Sequence, residues 1–307
     1  MASQSTEPDR LVERAPAKIN LTLQILGRLP NGYHALSSVV AFAEVADVLT
    51  VVRTAPAQAS QTRVTDHLSV ALPGTDPAAE TTIIDDNLID RARAELLRLP
   101  PDLDCPAVTL DKHLPIASGL GGGSADAAAY LRLVQRLNGT HADTVDWASC
   151  AAALGADVPV CLAGTACLME GVGDVITPIA WPAPLPAVLC NPRVPVPATK
   201  TRDVFRALGA PAIADARSIS RPQTAHDVME LIRSGRNDLT DAATSVIPAI
   251  ADVIDALSQT DDVVLTRLSG AGPTAFALYE TTDAAERAAA NLRADHPAGW
   301  IAATTLS

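Results

Sequence analysis

The sequence predicts a mixed fold of helices and strands, α+β or α/β, in two domains with a cleft where they meet. Strand and helix patterns alternate in both halves of the chain, a proline-rich seam divides the halves, and each half holds a glycine-rich loop beside a regular element. At 307 residues, 48% of them hydrophobic, the chain can bury a large core.

The elements follow in order. "AKINLTLQILG" alternates, with Ile19, Leu21, Leu23 and Ile25 on one face of a strand and Lys18, Asn20, Thr22 and Gln24 on the other. "LPNGYH" reads as a turn, and strands are expected near Ala46–Val52 and His67–Leu72. Asp85–Leu99 has helical periodicity and Ala107–Lys112 is a short strand. A helix over Ala125–Leu137 stops at Asn138-Gly139; Thr144 is expected to cap the next, which stops at Gly155. "VPVCLAG" reads as a strand, and "TACLMEGVGDVITPI" as a hairpin turning at Gly171–Asp174. Pro178–Pro197 contains seven prolines, interrupted by an apolar strand at Ala187–Cys190, and puts the domain boundary near Pro182–Pro186, with domains 1–182 and 183–307. Helices then fall near Thr201–Leu208, Ala225–Ser234 and Ser245–Ser258. A strand at Val263–Leu268, the loop "SGAGPT", a strand at Ala275–Tyr279, a helix over Asp283–Ala294 and the strand "WIAATTL" complete the chain.

Composition excludes several classes of function. A net charge of −12 argues against nucleic acid or an anionic membrane as partner, because phosphate-backbone binding needs a basic face. No window approaches the roughly 18 apolar residues of a membrane span. "MASQSTEPDRLVERAP" has no apolar signal core, so a cytoplasmic location is expected. The cysteines, Cys105, Cys150, Cys161, Cys167 and Cys190, are odd in number and form no C-x-x-C pair, which predicts reduced, buried thiols without zinc. Lysine is scarce, occurring only at positions 18, 112 and 200.

The chemistry concentrates in "IASGLGGGSADAAAYL", where four glycines precede a helix. Glycine costs order wherever it is fixed, so a cluster at a helix start indicates close approach of a ligand to the backbone, and phosphate suits the free N–H groups there. No lysine follows the glycines as a Walker A loop requires, and Ser124 stands where a dinucleotide fingerprint needs its third glycine. The protein-kinase motifs are absent as well.

The stretch "PIASGLGGGSADAA" resembles the signature of the GHMP kinases. "PAKINLTLQILGRLPNGYH", "LGADVPVCLAGTA", "EGVGD", "NDL" and "SGAGPTAFAL" occur with it in the family's order. The resemblance implies an α+β two-domain fold, the N-terminal domain like ribosomal protein S5 domain 2 and the C-terminal one ferredoxin-like. It also implies a kinase using ATP and Mg2+ on a small alcohol, and the motifs flanking the loop are similar to those of members that act on a cytidine diphosphate-linked methylerythritol. A homoserine or mevalonate kinase, or a non-catalytic nucleotide-binding protein, is the alternative. On the family's pattern Asp157 is the catalytic base and Lys18 its neighbouring cation. ATP falls to the loop formed by Pro115, Ile116, Ala117, Ser118, Gly119, Leu120, Gly121, Gly122, Gly123, Ser124 and Ala125. Tyr33 and His34 take the cytosine, and Asn20 the rest of the acceptor. Ser124 is a candidate magnesium contact, and Asp126 serves either capping or coordination. Ser269–Gly272 lines the cleft. The family's second aromatic around the base has no clear match among Lys200, Arg202 and Phe205.

Overall fold

The computed structural model describes residues 9–53, 69–71, 87–99, 103–214 and 221–307. Its organising element is one long strand, β3 (His34–Arg53), which begins directly after the "LPNGYH" turn and so extends well upstream of the stretch expected from sequence. It pairs antiparallel with β1 (Asp9–Asn20), β2 (Gln24–Arg28), β5 (Thr109–Asp111) and β6 (Cys167–Gly171). The short β4 (Ser69–Ala71) runs parallel to β5, and β7 (Val175–Pro178) completes the expected hairpin with β6. The strand expected over "AKINLTLQILG" is divided at residues 21–23, because Leu21 and Leu23 leave the ladder to enter two different apolar clusters.

Helices cover one side of this sheet: α1 (Leu88–Leu96), α2 (Gly122–Asn138), α3 (Trp147–Leu154) and α4 (Val158–Ala163). α2 starts three residues before the expected Ala125, since Gly121, at φ 65°, already turns the chain into the helix. Its alanine face, with Tyr130, Leu131, Leu133 and Val134, is buried against β1, β3 and the other helices. Two expectations fail here. "VPVCLAG" is α4, not a strand: Pro159 suits a first helical turn, Gly164 ends the helix in the left-handed conformation, and burial of Val158, Val160 and Cys161 overrides their strand preference. α3 is capped by Asp146, whose carboxylate accepts from the Ser149 N–H at 3.0 Å, while Thr144 closes a 3-10 turn at Gly139–Thr144. The first residues of the expected 85–99 helix and half of the expected 67–72 strand lie outside the described residues.

In the second half β8 (Leu185–Asn191) leads into α5 (Lys200–Leu208), α6 (Ala225–Ser234), α7 (Thr240–Val246) and α8 (Ala249–Ser258). The single helix expected over Ser245–Ser258 is broken ahead of Pro248, which has no N–H to continue the ladder. β9 (Val263–Leu268), β10 (Ala275–Tyr279), α9 (Thr282–Asp295) and β11 (Trp300–Leu306) follow. The strand order β11-β8-β10-β9 with these helical crossings is the ferredoxin-like arrangement. The halves share one sheet: β11 lies between β8 and β3, with Leu306 opposite Ala43. β3 has room for this contact because its register with β1 slips between Pro16 and Lys18, leaving residues 43–45 free to turn toward β11.

Candidate active site

A cleft of about 1130 Å³ lies where β1, the glycine loop, the start of α4, the "LPNGYH" turn and α5 converge. Lys18 reaches it from β1, held at its backbone by donation to Leu120 O at 2.8 Å. Its Nζ lies 2.8 Å from Asp157 Oδ1. Lys18 is buried, whereas the Asp157 side chain is 41% exposed to the cleft. Asp157 occupies the N-cap position of α4 yet accepts no hydrogen bond from that helix, so its carboxylate is committed to Lys18 and to whatever enters.

Of the expected polar face, Lys18, Asn20 and Thr22 are buried, whereas Gln24 is exposed at the start of β2. Asn20 Nδ2 donates to Ser38 Oγ at 2.8 Å, Ser38 Oγ donates to Thr22 O, and Thr22 Oγ1 accepts from Val39 N–H at 2.9 Å. This network fixes Asn20 at the cleft wall beside Lys18.

The glycine loop crosses the cleft floor. Gly119, Gly121 and Ser124 line the cavity. The Leu120 and Ala125 side chains enter the core, Ser118 is buried, and Ile116 is exposed outside. Pro115, Ala117, Gly122 and Gly123 are not in the lining, so any role they have falls to the backbone. No side chain caps α2, which leaves its first N–H groups available to an anion. Gly119 has φ 84°, and a Cβ there would meet Gly272 O at 2.6 Å and Ser269 O at 2.8 Å. The second loop therefore rests directly on the first: Thr274 N–H donates to Ser118 O at 3.0 Å, and Ser269 Oγ to Gly119 O at 3.3 Å. Gly270 and Ala271 of that loop line the cleft. Asn237, quoted above only as part of "NDL", holds it by donating to Leu268 O and Gly270 O, each at 2.8 Å.

Asp126 lies under the loop, outside the cleft lining. Lys112 Nζ bridges Asp126 Oδ2, at 2.8 Å, and Asp47 Oδ2, while Asp47 Oδ1 accepts from the N–H groups of His113 and Leu114. Burial pushes the Asp126 carboxyl up, to about 7, against the pull of Lys112. Burial also opposes the charge on Lys112, but the two carboxylates outweigh it and raise its pKa.

At the far end of the cleft Gly32 N–H donates to Leu29 O at 2.9 Å, which sets the turn carrying Tyr33 and His34. Tyr33 is 63% exposed, and His34 is half-buried with its pKa lowered by burial and by Arg28. Phe205 of α5 packs its ring on His34, centroids 4.7 Å apart at 30°. Phe205, for which the sequence offered no clear counterpart, reaches His34 only through the packing of α5. The acidic chain inverts its charge at this site. Lys18, Lys200, Arg28, Arg202 and Arg206 line the cleft, and Asp157 is the one carboxylate among its lining residues.

Two family models match the chain, GHMP kinases N terminal domain over residues 87–165 and GHMP kinases C terminal over 214–298. The chain is 44% identical to the 4-diphosphocytidyl-2-C-methyl-D-erythritol kinase of Rhodopseudomonas palustris (strain HaA2), covering 97% of this chain and 98% of the relative. It is 46% identical to the protein of the same name from Methylobacterium radiotolerans, over 96% and 99% of the two chains. Among solved structures, a 4-(cytidine 5'-diphospho)-2C-methyl-D-erythritol kinase superposes with TM-score 0.70 at 31% identity, covering 97% of this chain and 99% of the other.

Proposed function

Since the chain belongs to the GHMP kinases, we propose that its cleft moves the γ-phosphoryl group of ATP to the 2-hydroxyl of 4-diphosphocytidyl-2-C-methyl-D-erythritol, a step of non-mevalonate isoprenoid precursor synthesis. The observation that carries this is the Lys18–Asp157 pair facing a cleft with a glycine loop on one side and an aromatic pocket on the other. Asp157 accepts the hydroxyl proton as the oxygen bonds to phosphorus, and the bond to the bridging oxygen of ADP breaks. Lys18 holds Asp157 in place and balances the developing alkoxide. Tyr33, His34 and Phe205 enclose the cytosine, with a neutral imidazole to read its edge. Asn20 orients the acceptor, and the N–H groups from Gly121 to Ser124 take the phosphates.

Magnesium fits as an ion arriving on the nucleotide. Among the described residues no group of three His, Cys, Asp or Glu could hold a metal by itself. Ser124 is the cleft hydroxyl that would join its shell, and the ion would neutralise phosphate charge. The chain divides functionally between residues 182 and 183, the first half carrying Lys18, Asp157 and the glycine loop, the second carrying Phe205 and the Ser269–Gly272 loop. The enzyme works in the cytoplasm, in keeping with five free, buried cysteines, and takes no nucleic-acid partner. No helix among the described residues is long and apolar enough to cross a membrane.

Phosphorus NMR with ATP, magnesium and the cytidylyl acceptor, run beside homoserine and mevalonate, tests the assignment. A phosphomonoester signal that forms with the cytidylyl acceptor alone is expected; transfer to another alcohol instead would discard the substrate.

A further inference from the structure

The three lysines of this chain are all buried, Lys18 at 4% exposure and Lys112 and Lys200 at 5%, and all three bear on the glycine loop. The Lys18 side chain runs beside Gly121, Lys112 Nζ lies beneath Gly122, and Lys200 Nζ donates to Ala117 O at 3.0 Å. A buried ammonium needs a counter-charge. Lys18 has Asp157, and Lys112 has Asp47 and Asp126. Lys200 has none: among the described residues it makes no ion pair, and its partners are the carbonyls of Ala117 in the first glycine loop and Gly272 in the second.

An ammonium has three donors, and these contacts use two. Lys200 also lines the cleft, as the first residue of the helix that carries Phe205. We propose that Lys200 binds the polyphosphate of the nucleotide: its two carbonyl contacts clamp the glycine loops together, and its remaining N–H and unmatched charge are completed by the phosphate anion. Burial alone lowers its pKa to about 8, as expected of a cation whose counter-ion comes from outside. α5 then links the two ends of the site, phosphate at Lys200 and base at Phe205.

The inference rests on the reading of the cleft as an ATP site, and the test separates the two. ATP and adenosine are titrated calorimetrically into the wild type and into Lys200→Met, Lys200→Gln and Lys200→Arg. Glutamine keeps two donors for the carbonyls without the charge, so it retains the clamp where methionine loses it. We expect Lys200→Met and Lys200→Gln to bind ATP at least about tenfold more weakly, with adenosine within about twofold of wild type and Lys200→Arg nearer to wild type for ATP. Wild-type ATP affinity in Lys200→Gln, or equal weakening of ATP and adenosine, would overturn the role of Lys200 alone. Failure of the wild type to bind ATP would overturn the cleft assignment as well.

Discussion

Asp157 shows how one residue's role is set by what it declines to do. A carboxylate at a helix N-cap ordinarily accepts the N–H groups of the first turn, and here it leaves them and faces Lys18. Asp157→Asn keeps the shape and removes the base, so kcat should fall about 1000-fold while ATP affinity stays within about twofold, measured by steady-state kinetics and calorimetry. Retained turnover would remove Asp157 from the mechanism. His34 supplies a pH prediction. Its folded pKa lies below the ordinary 6.5, so the unfolded chain takes the proton more readily. The stability it contributes is present above pH 6.5 and is lost as pH falls through that value toward the folded pKa. KM for the cytidylyl substrate should likewise stay level from about pH 8 to 6.5 and rise only below, where the edge-reading imidazole becomes charged. A rise beginning above pH 7 would contradict it. Lys18 and Asn20 were legible because they alternate with a core face. Phe205 was not, since nothing near it in the chain says that α5 turns toward His34.

At the scale of elements, strand and helix identity was legible wherever local preference agreed with burial. The stretches Ala225–Ser234, Val263–Leu268, Ala275–Tyr279 and Trp300–Leu306 appear with the bounds expected from sequence. α4 was misread because two valines outweighed the proline beside them, although a proline in a first turn is itself a helix signal. The same scale explains how the phosphate loop is seated. Asp47 on β3 accepts two successive N–H groups leading into the loop on one oxygen and the Lys112 ammonium on the other, and Lys112 also holds Asp126 on α2. Asp47→Ala would strand a buried ammonium between fewer charges and free the two N–H groups. It should cost about 3 kcal/mol, read from the urea midpoint at unchanged slope. A shift under about 0.5 kcal/mol would mean the cluster contributes little.

For the whole molecule, the sequence suggested two units and a seam, and the strand order could not be read because pairing partners are distant in the chain. The halves are tied at many points, among them three that involve whole elements or loops. β11 joins β3, the two glycine loops interlock, and Arg267 of β9 donates to the carbonyls of Leu21, Ile232 and Gly235. Burial lowers the pKa of that guanidinium to about 10, the cost of placing it at the join. Unfolding should therefore be a single cooperative event. Urea curves followed by far-ultraviolet circular dichroism and by tryptophan fluorescence should coincide, and two separated transitions would show that the halves stand alone.

The position of β11 also bears on how the chain is made. Among the described residues it is the latest strand in chain order, yet it occupies the slot between β3 and β8. While the ribosome is still adding its residues, β8 presents the edge from Leu185 to Asn191 with no neighbour on that side. A nascent chain stalled before Trp300 therefore carries an open, apolar template for pairing with other chains.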